Sequence, residues 1–327
     1  MGLRGKKKMA DQFPRKRIRN SQAADSRWRS EDQSLVNQNL ERILESTSYR
    51  LAHADEALLE SAEMRGVRML LEITKPQQIL DAEGISSTII VFGGVNIIER
   101  DDAEQRLARA QAALAAEPQN RRLERQLARC QTQVEFSRYY GAAREFSRLV
   151  AQGHQNGEHA HVVVTGGGPG VMEAANRGAF DAGGRSIGLS IKLPGEPEPN
   201  PYITPELCFQ FNYFALRKFH FVMRSAAAVL FPGGFGTLDE LFEVLTLRQT
   251  AIKSPMPVIL FGKEFWSRLI DFSYLADCGL IRDDHLELFQ FADTAEEAWH
   301  LIQAFDAEHR QQDEPKAGPA DVSPLAA

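Results

Sequence analysis

Two glycine-rich segments are the residues of this 327-residue chain that are best suited to binding a charged ligand. Residues 166–170 read Gly-Gly-Gly-Pro-Gly and follow an apolar run, and residues 232–237 read Pro-Gly-Gly-Phe-Gly-Thr and follow another. Each segment leads into a helical pattern. Glycine lets the backbone approach an anion closely, and the free N–H groups and dipole of the following helix favour phosphate. Because the carboxyl ends of parallel strands share one edge, both loops are expected to face one ligand-binding cleft.

The spacing of these glycines excludes several common ligand sites. Val171 stands where the third glycine of G-x-G-x-x-G would be, so the ordinary dinucleotide fingerprint is absent. Gly262-Lys263 is followed by Glu264, which disfavours an NTP-hydrolysing P-loop. The zinc-protease motif H-E-x-x-H and the α/β-hydrolase motif G-x-S-x-G are both absent, so neither kind of site is indicated. With these sites excluded, the favoured ligand is a nucleoside monophosphate or a sugar phosphate.

The elements that must position these loops alternate along the chain. Apolar, β-branched runs near residues 87–92, 161–165, 186–191, 228–231 and 257–261 predict buried strands, and helical patterns separate them. This rhythm predicts an α/β fold with a Rossmann-like, doubly wound parallel sheet. The fold is expected to carry extra N-terminal helices and an inserted helical hairpin.

Four regions are predicted along the chain. Residues 1–34 are expected to be a disordered basic arm, and residues 35–80 to be N-terminal helices that end at Lys75-Pro76. Residues 81–310 should form the Rossmann-like domain, with the helical insertion over residues 101–135 broken at Pro118. Residues 311–327 are expected to be a disordered tail.

Composition and charge narrow the class of protein. The chain is 43% hydrophobic and 25% charged, close to an ordinary globular domain. Its net charge is -6, which is the sum of a charge of +8 on residues 1–30 and a charge of -14 on the rest of the chain. With few aromatic residues in the arm, nucleic-acid binding is not favoured. Apolar runs are too short for a membrane span and no secretory signal is visible, so a cytoplasmic protein with no membrane partner is expected.

The metal-ligating and nucleophilic residue types show no recognisable spacing. Cys130, Cys208 and Cys278 are far apart and are expected to be reduced packing thiols, and the eight histidines are scattered. We therefore predict no metal and no cofactor. Pyridoxal phosphate is disfavoured because no lysine has a recognisable Schiff-base context.

Residues 232–240, Pro-Gly-Gly-Phe-Gly-Thr-Leu-Asp-Glu, match a signature written PGGxGTxxE. The chain thereby resembles the LOG ("lonely guy") phosphoribohydrolases, which are often labelled lysine decarboxylases. Arg217-Lys218 resembles the second motif of that family, and residues 166–173 resemble its first phosphate loop. The resemblance covers about residues 85–265. It implies a homodimer or higher homo-oligomer that hydrolyses nucleoside 5'-monophosphates, of the AMP or cytokinin riboside type, to free base and ribose 5-phosphate.

The resemblance also implies roles for particular residues. Glu240 and Arg217 would be catalytic, because cleavage of an N-glycosidic bond develops positive charge on the ribose and needs a carboxylate and an activated water. The residues implied to bind the phosphate and the rest of the substrate are Gly167, Gly168, Gly170, Val171, Met172, Gly233, Gly234, Gly236, Thr237 and Lys218.

Several of these residues have a simpler structural interpretation. Thr237-x-x-Glu240 is also the pattern of a capping box, in which Glu240 would bond to the backbone N–H of Thr237 and do no chemistry. Asp239 would point about 100 degrees away from Glu240 around the helix. Lys218 is expected to be a solvated or subunit-interface charge, and Arg224 a surface charge rather than a second phosphate contact.

The aromatic residues near Arg217 divide into two predicted groups. Tyr213 and Phe214 are candidates for stacking on the base, whereas Phe209, Phe211, Phe219 and Phe221 are expected to pack in the core. The alternative function is a nucleotide or cofactor carrier on the same fold, which would bind a phosphorylated ligand without hydrolysing it.

Overall fold

A seven-stranded parallel sheet forms the centre of the computed structural model, which describes residues 33–157, 159–193 and 198–313. Its strands are β1 (Ser87–Phe92), β2 (His161–Thr165), β3 (Ser186–Ile191), β4 (Cys208–Phe211), β5 (Ser225–Leu230), β6 (Val258–Phe261) and β7 (Gln290–Ala292). The strand order is β4-β3-β2-β1-β5-β6-β7. The chain runs outward from β1 to β4 and then crosses to β5 on the other side of β1. The strand order therefore reverses between β1 and β5, which are themselves parallel, and open α/β sheets bind ligands at such a point.

Helices cover both faces of the sheet. The helices of the described residues are α1 (Gln33–Glu45), α2 (Glu56–Glu60), α3 (Arg65–Ala82), α4 (Arg100–Ala116), α5 (Arg121–Gln155), α6 (Val171–Asp181), α7 (Phe214–Met223), α8 (Phe235–Gln249), α9 (Lys263–Leu269), α10 (Phe272–Asp277) and α11 (Ala295–Asp313), and those that cover the sheet begin with α3. Side chains of β1 alternate between two cores. Ile90 packs with residues of α3, α7, α8 and α9, whereas Ile89 packs with residues of α5, α6 and α11. The predicted doubly wound α/β class is confirmed.

The five predicted strands are present, and the sequence pattern missed two. β4 and β7 are short and lie at the two edges of the sheet. An edge strand pairs on one side only and does not need a continuous apolar run. The Cys208–Phe211 strand alternates in burial, so it lacked the pattern that revealed the central strands.

The predicted helical insertion differs from the observed hairpin in where it ends. α4 and α5 are antiparallel neighbours joined around Pro118, as expected. α5, however, does not end near residue 135 but continues without a break to Gln155, where its second half packs on the sheet. Asn120 begins this helix by accepting hydrogen bonds from the N–H groups of Arg122 and Leu123. The hairpin is thus an extension of a core helix.

The prediction that Lys75-Pro76 ends a helix is wrong, because α3 passes through Pro76 to Ala82. A proline inside a helix leaves the carbonyl four residues earlier without its usual donor. Here that carbonyl belongs to Glu72, and it lies 3.0 Å from Nε2 of His220 on α7. Since a carbonyl oxygen can only accept, Nε2 of His220 donates this bond. A tertiary contact replaces the lost helical hydrogen bond.

The chain divides into two units, one up to Arg65 and one from Gly66 onward. The first contains α1, α2 and two short 3₁₀ helices, Thr47–Tyr49 and Ala52–Ala54. The predicted basic arm over residues 1–34 lies outside the described residues except for its last two, which begin α1. The predicted tail over residues 311–327 is described only to Asp313, where α11 ends. No helix in the described ranges is long and apolar enough to cross a membrane.

We expect His220→Phe to lower the free energy of unfolding by about 1 to 3 kcal/mol, because it removes the donor to a buried carbonyl and keeps an aromatic ring. Chemical denaturation measures this loss. In a Pro76→Ala background the N–H of residue 76 can bond to Glu72, so the same change should cost clearly less. Equal costs in both backgrounds would contradict the proposed replacement.

Candidate functional site

Three loops meet at the carboxyl edge of the sheet, where β1, β2 and β5 end. They line a cavity of about 350 Å³, here called the Glu240 cavity. The N–H of Gly94, after β1, donates to the carbonyl of Pro232 at 2.9 Å, and the N–H of Val171 donates to the carbonyl of Gly94 at 3.2 Å. Gly94 therefore ties the two glycine loops to one another.

The first glycine loop is held by a buried polar network. Asn200 donates from its backbone N–H and its Nδ2 to the carbonyl of Gly167, and from Nδ2 to the carbonyl of Gly168. Nδ2 also bonds to Oδ1 of Asn176, which is fully buried. Asn176 in turn accepts from the hydroxyl of Thr165 at 2.7 Å. These bonds fix the loop before any ligand arrives.

The network changes the roles expected of Gly167 and Val171. The N–H of Gly167 donates to Oγ1 of Thr165, and that of Val171 donates to Gly94, so both groups are engaged within the protein. Gly167 and Gly170 have φ of 75° and 76°, which explains why glycine occupies these positions. An added Cβ at Gly170 would overlap the carbonyl of Gly94. Gly167 and Val171 therefore shape the loop rather than offer N–H donors to a ligand.

Met172 and Gly168 lie closer to the ligand space. The side chain of Met172 covers Gly166 and Gly168, with its sulfur 2.8 Å from where a Cβ of Gly166 would be. Met172 lines the Glu240 cavity, and Gly168 lines an adjoining cavity of about 470 Å³, here called the polar cavity. The two cavities share Gly166, Met172 and Arg217 in their walls.

The second glycine loop opens directly into α8. Gly234 is the N-cap, and the N–H groups of Phe235, Gly236 and Thr237 in the first turn have no partner within the helix. Together with the positive end of the helix dipole they form an anion site that faces the Glu240 cavity. Gly233 lies against Thr237, because an added Cβ would overlap the Thr237 hydroxyl. Gly236 has open space at the same position.

The capping-box interpretation of Thr237 and Glu240 is wrong. α8 begins at Phe235, two residues before Thr237, so Thr237 lies inside the helix rather than at its cap. Gly234 has no side chain that could cap, and Glu240 lies in the second turn of the helix. The Glu240 carboxyl is therefore free of the capping role, and it lines the Glu240 cavity.

Glu240 is the most perturbed acid of the cleft. It is 4% exposed, and burial raises its pKa from 4.5 to about 7 against the opposing charges of Lys218 and Arg217. Nη2 of Arg217 lies 3.8 Å from Oε1 of Glu240, too far for a direct hydrogen bond. A buried carboxyl that changes charge near neutral pH, next to a fixed cation, is suited to catalysis.

Arg217 comes from α7, whose start is fixed by α3. The carboxylate of Glu72 accepts from the N–H groups of Asn212 and Tyr213 at the start of α7. The Arg217 guanidinium lies 5.0 Å from the centre of the Phe214 ring, and it lines both the Glu240 cavity and the polar cavity. It is placed to reach an anion in either one.

Lys218 is not solvated, which contradicts one of the two alternatives in its structural interpretation. Its Nζ lies 2.8 Å from Asp239 and 3.0 Å from Glu243, the two acids that flank Glu240 on α8. Lys218 thus joins α7 to α8. Asp239 is exposed and points away from the cavity, as the helix geometry predicted.

Arg224 and the aromatic residues complete the comparison with the sequence predictions. Arg224 donates to the carbonyl of Ile85 and to Asp81, far from the glycine loops, so it is structural. Phe214 lines the Glu240 cavity, whereas Tyr213 packs on the core. The prediction that Phe219 packs in the core is wrong, because its side chain is 46% exposed on α7. Phe209, Phe211 and Phe221 are buried as predicted.

Sequence reasoning missed several residues of the site. Gly94 and Val95 line both the Glu240 cavity and a neighbouring one, yet the turn after β1 was not assigned to the site. Asn176 and Asn200 were missed because each acts only through the loop it holds. The Gly93-Gly94 pair after a predicted strand was the one available signal, since it repeats the strand–glycine–helix pattern of the other loops.

Comparisons with known proteins find one matching family model and several relatives from plants. A family model described as "Possible lysine decarboxylase" matches residues 172–302. A protein of Oryza sativa subsp. japonica named "Probable cytokinin riboside 5'-monophosphate phosphoribohydrolase" is 26% identical over 180 residues, which cover 52% of this chain and 79% of that protein. An Arabidopsis thaliana cytokinin riboside 5'-monophosphate phosphoribohydrolase is 31% identical over 116 residues, covering 34% of this chain and 52% of its own. The predicted resemblance to the LOG family is confirmed.

Solved structures with similar chains carry other names. The molybdenum cofactor carrier protein from Chlamydomonas reinhardtii is 20% identical, with a TM-score of 0.40, and the match covers 68% of this chain and 99% of that one. The molybdenum cofactor binding protein from Rippkaea orientalis is 20% identical, with a TM-score of 0.40, and the match covers 68% and 98%.

We expect Gly233→Ala to lower the free energy of unfolding by about 1 to 3 kcal/mol, because its Cβ would collide with Thr237. Gly236→Ala is the matched control. It adds the same methyl group into open space within a helix, where alanine is favoured, and should not destabilise the fold. Denaturant unfolding of both variants measures the difference, and equal destabilisation would contradict the loop packing described here.

The raised pKa of Glu240 predicts a pH-dependent gain in stability for Glu240→Gln. Because the folded pKa of about 7 exceeds the ordinary 4.5, the stabilising contribution of this group is complete below about pH 4.5 and is lost as pH rises through 7. Glutamine stays neutral. The variant should therefore gain on the wild type with rising pH, by up to about 3 kcal/mol at 1.36 kcal/mol per pKa unit. Unfolding measured from pH 4 to 9 tests this. A difference between Glu240→Gln and the wild type that does not change with pH would refute the shift.

Proposed function

We propose that this protein hydrolyses the N-glycosidic bond of nucleoside 5'-monophosphates, releasing the free base and ribose 5-phosphate. The observation that carries the proposal is the Glu240 carboxyl, buried beside Arg217 in a cavity whose rim holds an anion-binding helix start. The similarity to phosphoribohydrolases from two plants supports the same reaction class. AMP is the proposed test substrate, and cytokinin riboside monophosphates are a narrower option of the same type.

The phosphate would bind at the start of α8. The N–H groups of Phe235, Gly236 and Thr237 point toward the cavity end of the helix, and Arg217 supplies a fixed positive charge with a planar set of donors. Gly168 and Met172 would close the opposite side of the cleft. With the phosphate held there, Glu240 lies in the next turn of the same helix, beside the attached ribose.

Glu240 would act in its ionised form. As the bond from ribose C1' to the base breaks, its electron pair goes to the base and positive charge develops on the ribose. The Glu240 carboxylate stabilises that charge and accepts a proton from the attacking water, whose hydroxyl joins C1'. Glu240 then returns that proton, which goes to the departing base, so that the elements of one water molecule are divided between ribose C1' and the base. A pKa of about 7 lets Glu240 accept and return a proton near neutral pH.

Lys218 and Arg217 would have different tasks in this reaction. Lys218 has both of its acid partners on α8 and holds Glu240 in place from outside the cavity. Arg217 faces the ligand and orients the phosphate or the ribose oxygens. We also propose that the protein is a homo-oligomer and that it is cytoplasmic. Sedimentation of the purified protein tests the oligomeric state.

The central test is Glu240→Gln. We expect turnover of AMP to fall by about 10²- to 10⁴-fold, because the substitution removes both the carboxylate that accepts the proton from water and the negative charge that stabilises the ribose. AMP affinity should be largely retained. Release of adenine followed by chromatography measures turnover, and Glu287→Gln is the control. Adenine release at the wild-type rate by Glu240→Gln would rule out the proposed role. If the wild type binds AMP and releases no adenine, the protein is a carrier instead.

A further inference from the structure

A second large cavity lies on the other side of the second glycine loop. It has a volume of about 710 Å³ and is here called the hairpin cavity. One wall consists of the loop residues Gly94, Val95 and Gly234, and the opposite wall comes from the first half of α5, around Thr132 and Phe136. This half of α5 is the arm that extends beyond the sheet-covering part of the helix.

The hairpin cavity adjoins the proposed reaction site. Gly94, Val95 and Gly234 line both the hairpin cavity and the Glu240 cavity. Gly234 is also the N-cap of α8, next to the proposed phosphate position. A ligand whose phosphate and ribose occupy the Glu240 cavity can therefore extend past these residues, which carry little or no bulk at Gly94 and Gly234.

The chemistry of the hairpin cavity fits a flat heteroaromatic ring. Phe136 and Phe265 stand edge to face on its wall, with ring centres 6.1 Å apart, and Ile97 adds apolar surface. Gln133 and Thr132 bring amide and hydroxyl groups to the same wall, and Arg129 brings the one charged side chain among the described residues that line this cavity. A nucleobase has apolar faces for such rings and a polar edge for such groups.

The polar cavity on the other side of the site is less suitable for a base. Its wall includes the charged residues Lys192, Glu198 and Arg217, together with Gln210. Charges of both signs favour phosphate, ribose hydroxyls and water over a planar apolar face. The two cavities that adjoin the Glu240 cavity therefore differ in the part of a nucleotide that each can hold.

We propose that the hairpin cavity binds the base of the nucleotide, so that the α4–α5 hairpin sets which base is accepted. The inference rests on the proposed function for the identity of the ligand. It assigns Phe136 and Gln133, which the sequence analysis did not connect with the site, as binding and specificity-determining residues.

The test compares AMP with ribose 5-phosphate, which lacks the base. Binding of each is measured by calorimetry in a Glu240→Gln background, where slow turnover does not interfere. We expect Phe136→Ala and Gln133→Ala to weaken AMP binding, Phe136→Ala by about tenfold, because loss of one stacking contact costs about 1 to 3 kcal/mol. Both should leave ribose 5-phosphate binding within about twofold. Gln210→Ala, in the polar cavity, should change the binding of AMP and of ribose 5-phosphate by the same factor, because it does not touch the base.

The outcomes separate this inference from the proposed reaction. Equal losses for AMP and ribose 5-phosphate, or a selective loss of AMP binding in Gln210→Ala alone, would overturn the assignment of the base. Should Phe136→Ala fail to fold, Gln133→Ala decides, because its half-exposed side chain can be truncated without opening the core. If AMP is bound selectively through the hairpin but the wild type releases no adenine, the reaction fails and the base site stands. No binding of AMP overturns both.

Discussion

The burial of one carboxyl group between two helices is the constraint on which the candidate site depends. Glu240 is almost completely removed from water, and its ionised form is tolerated only because Arg217 and Lys218 are close. A neutral residue there would be easier to accommodate. Retaining an acid at this position costs stability at neutral pH, which is the expected pattern for a residue kept for function.

The supports of that carboxyl extend through the fold in a traceable series. Lys218 joins α7 to α8 through Asp239 and Glu243, and α7 begins where Glu72 of α3 accepts two backbone N–H groups. α3 continues through Pro76 because His220 of α7 supplies the missing donor. α3, which contains Pro76, and α7, which carries Arg217, thus stabilise one another. The position of the site depends on contacts far from any ligand.

The sequence predicted the features that depend on local pattern. Five central strands, both glycine loops and the position of Glu240 after the second loop follow from apolar runs and spacing. Three of the failures have one origin, which is that a tertiary contact decides the outcome. Pro76 remains inside a helix because His220 bonds to the carbonyl of Glu72. Lys218 is shielded from solvent because it pairs with Asp239 and Glu243. Asn200 contributes to the site only by holding a loop that is distant from it in sequence. The cap at Thr237 failed because α8 begins two residues earlier than the pattern suggested.

The most direct test of this account is the pKa of Glu240 itself. Carbon-13 NMR of protein labelled at the glutamate carboxyl carbons, recorded from pH 4 to 9, resolves the signal that Glu240→Gln removes. The account predicts that this signal titrates near pH 7. A midpoint near 4.5 would show that the carboxyl is solvated, and the account of the site would be wrong.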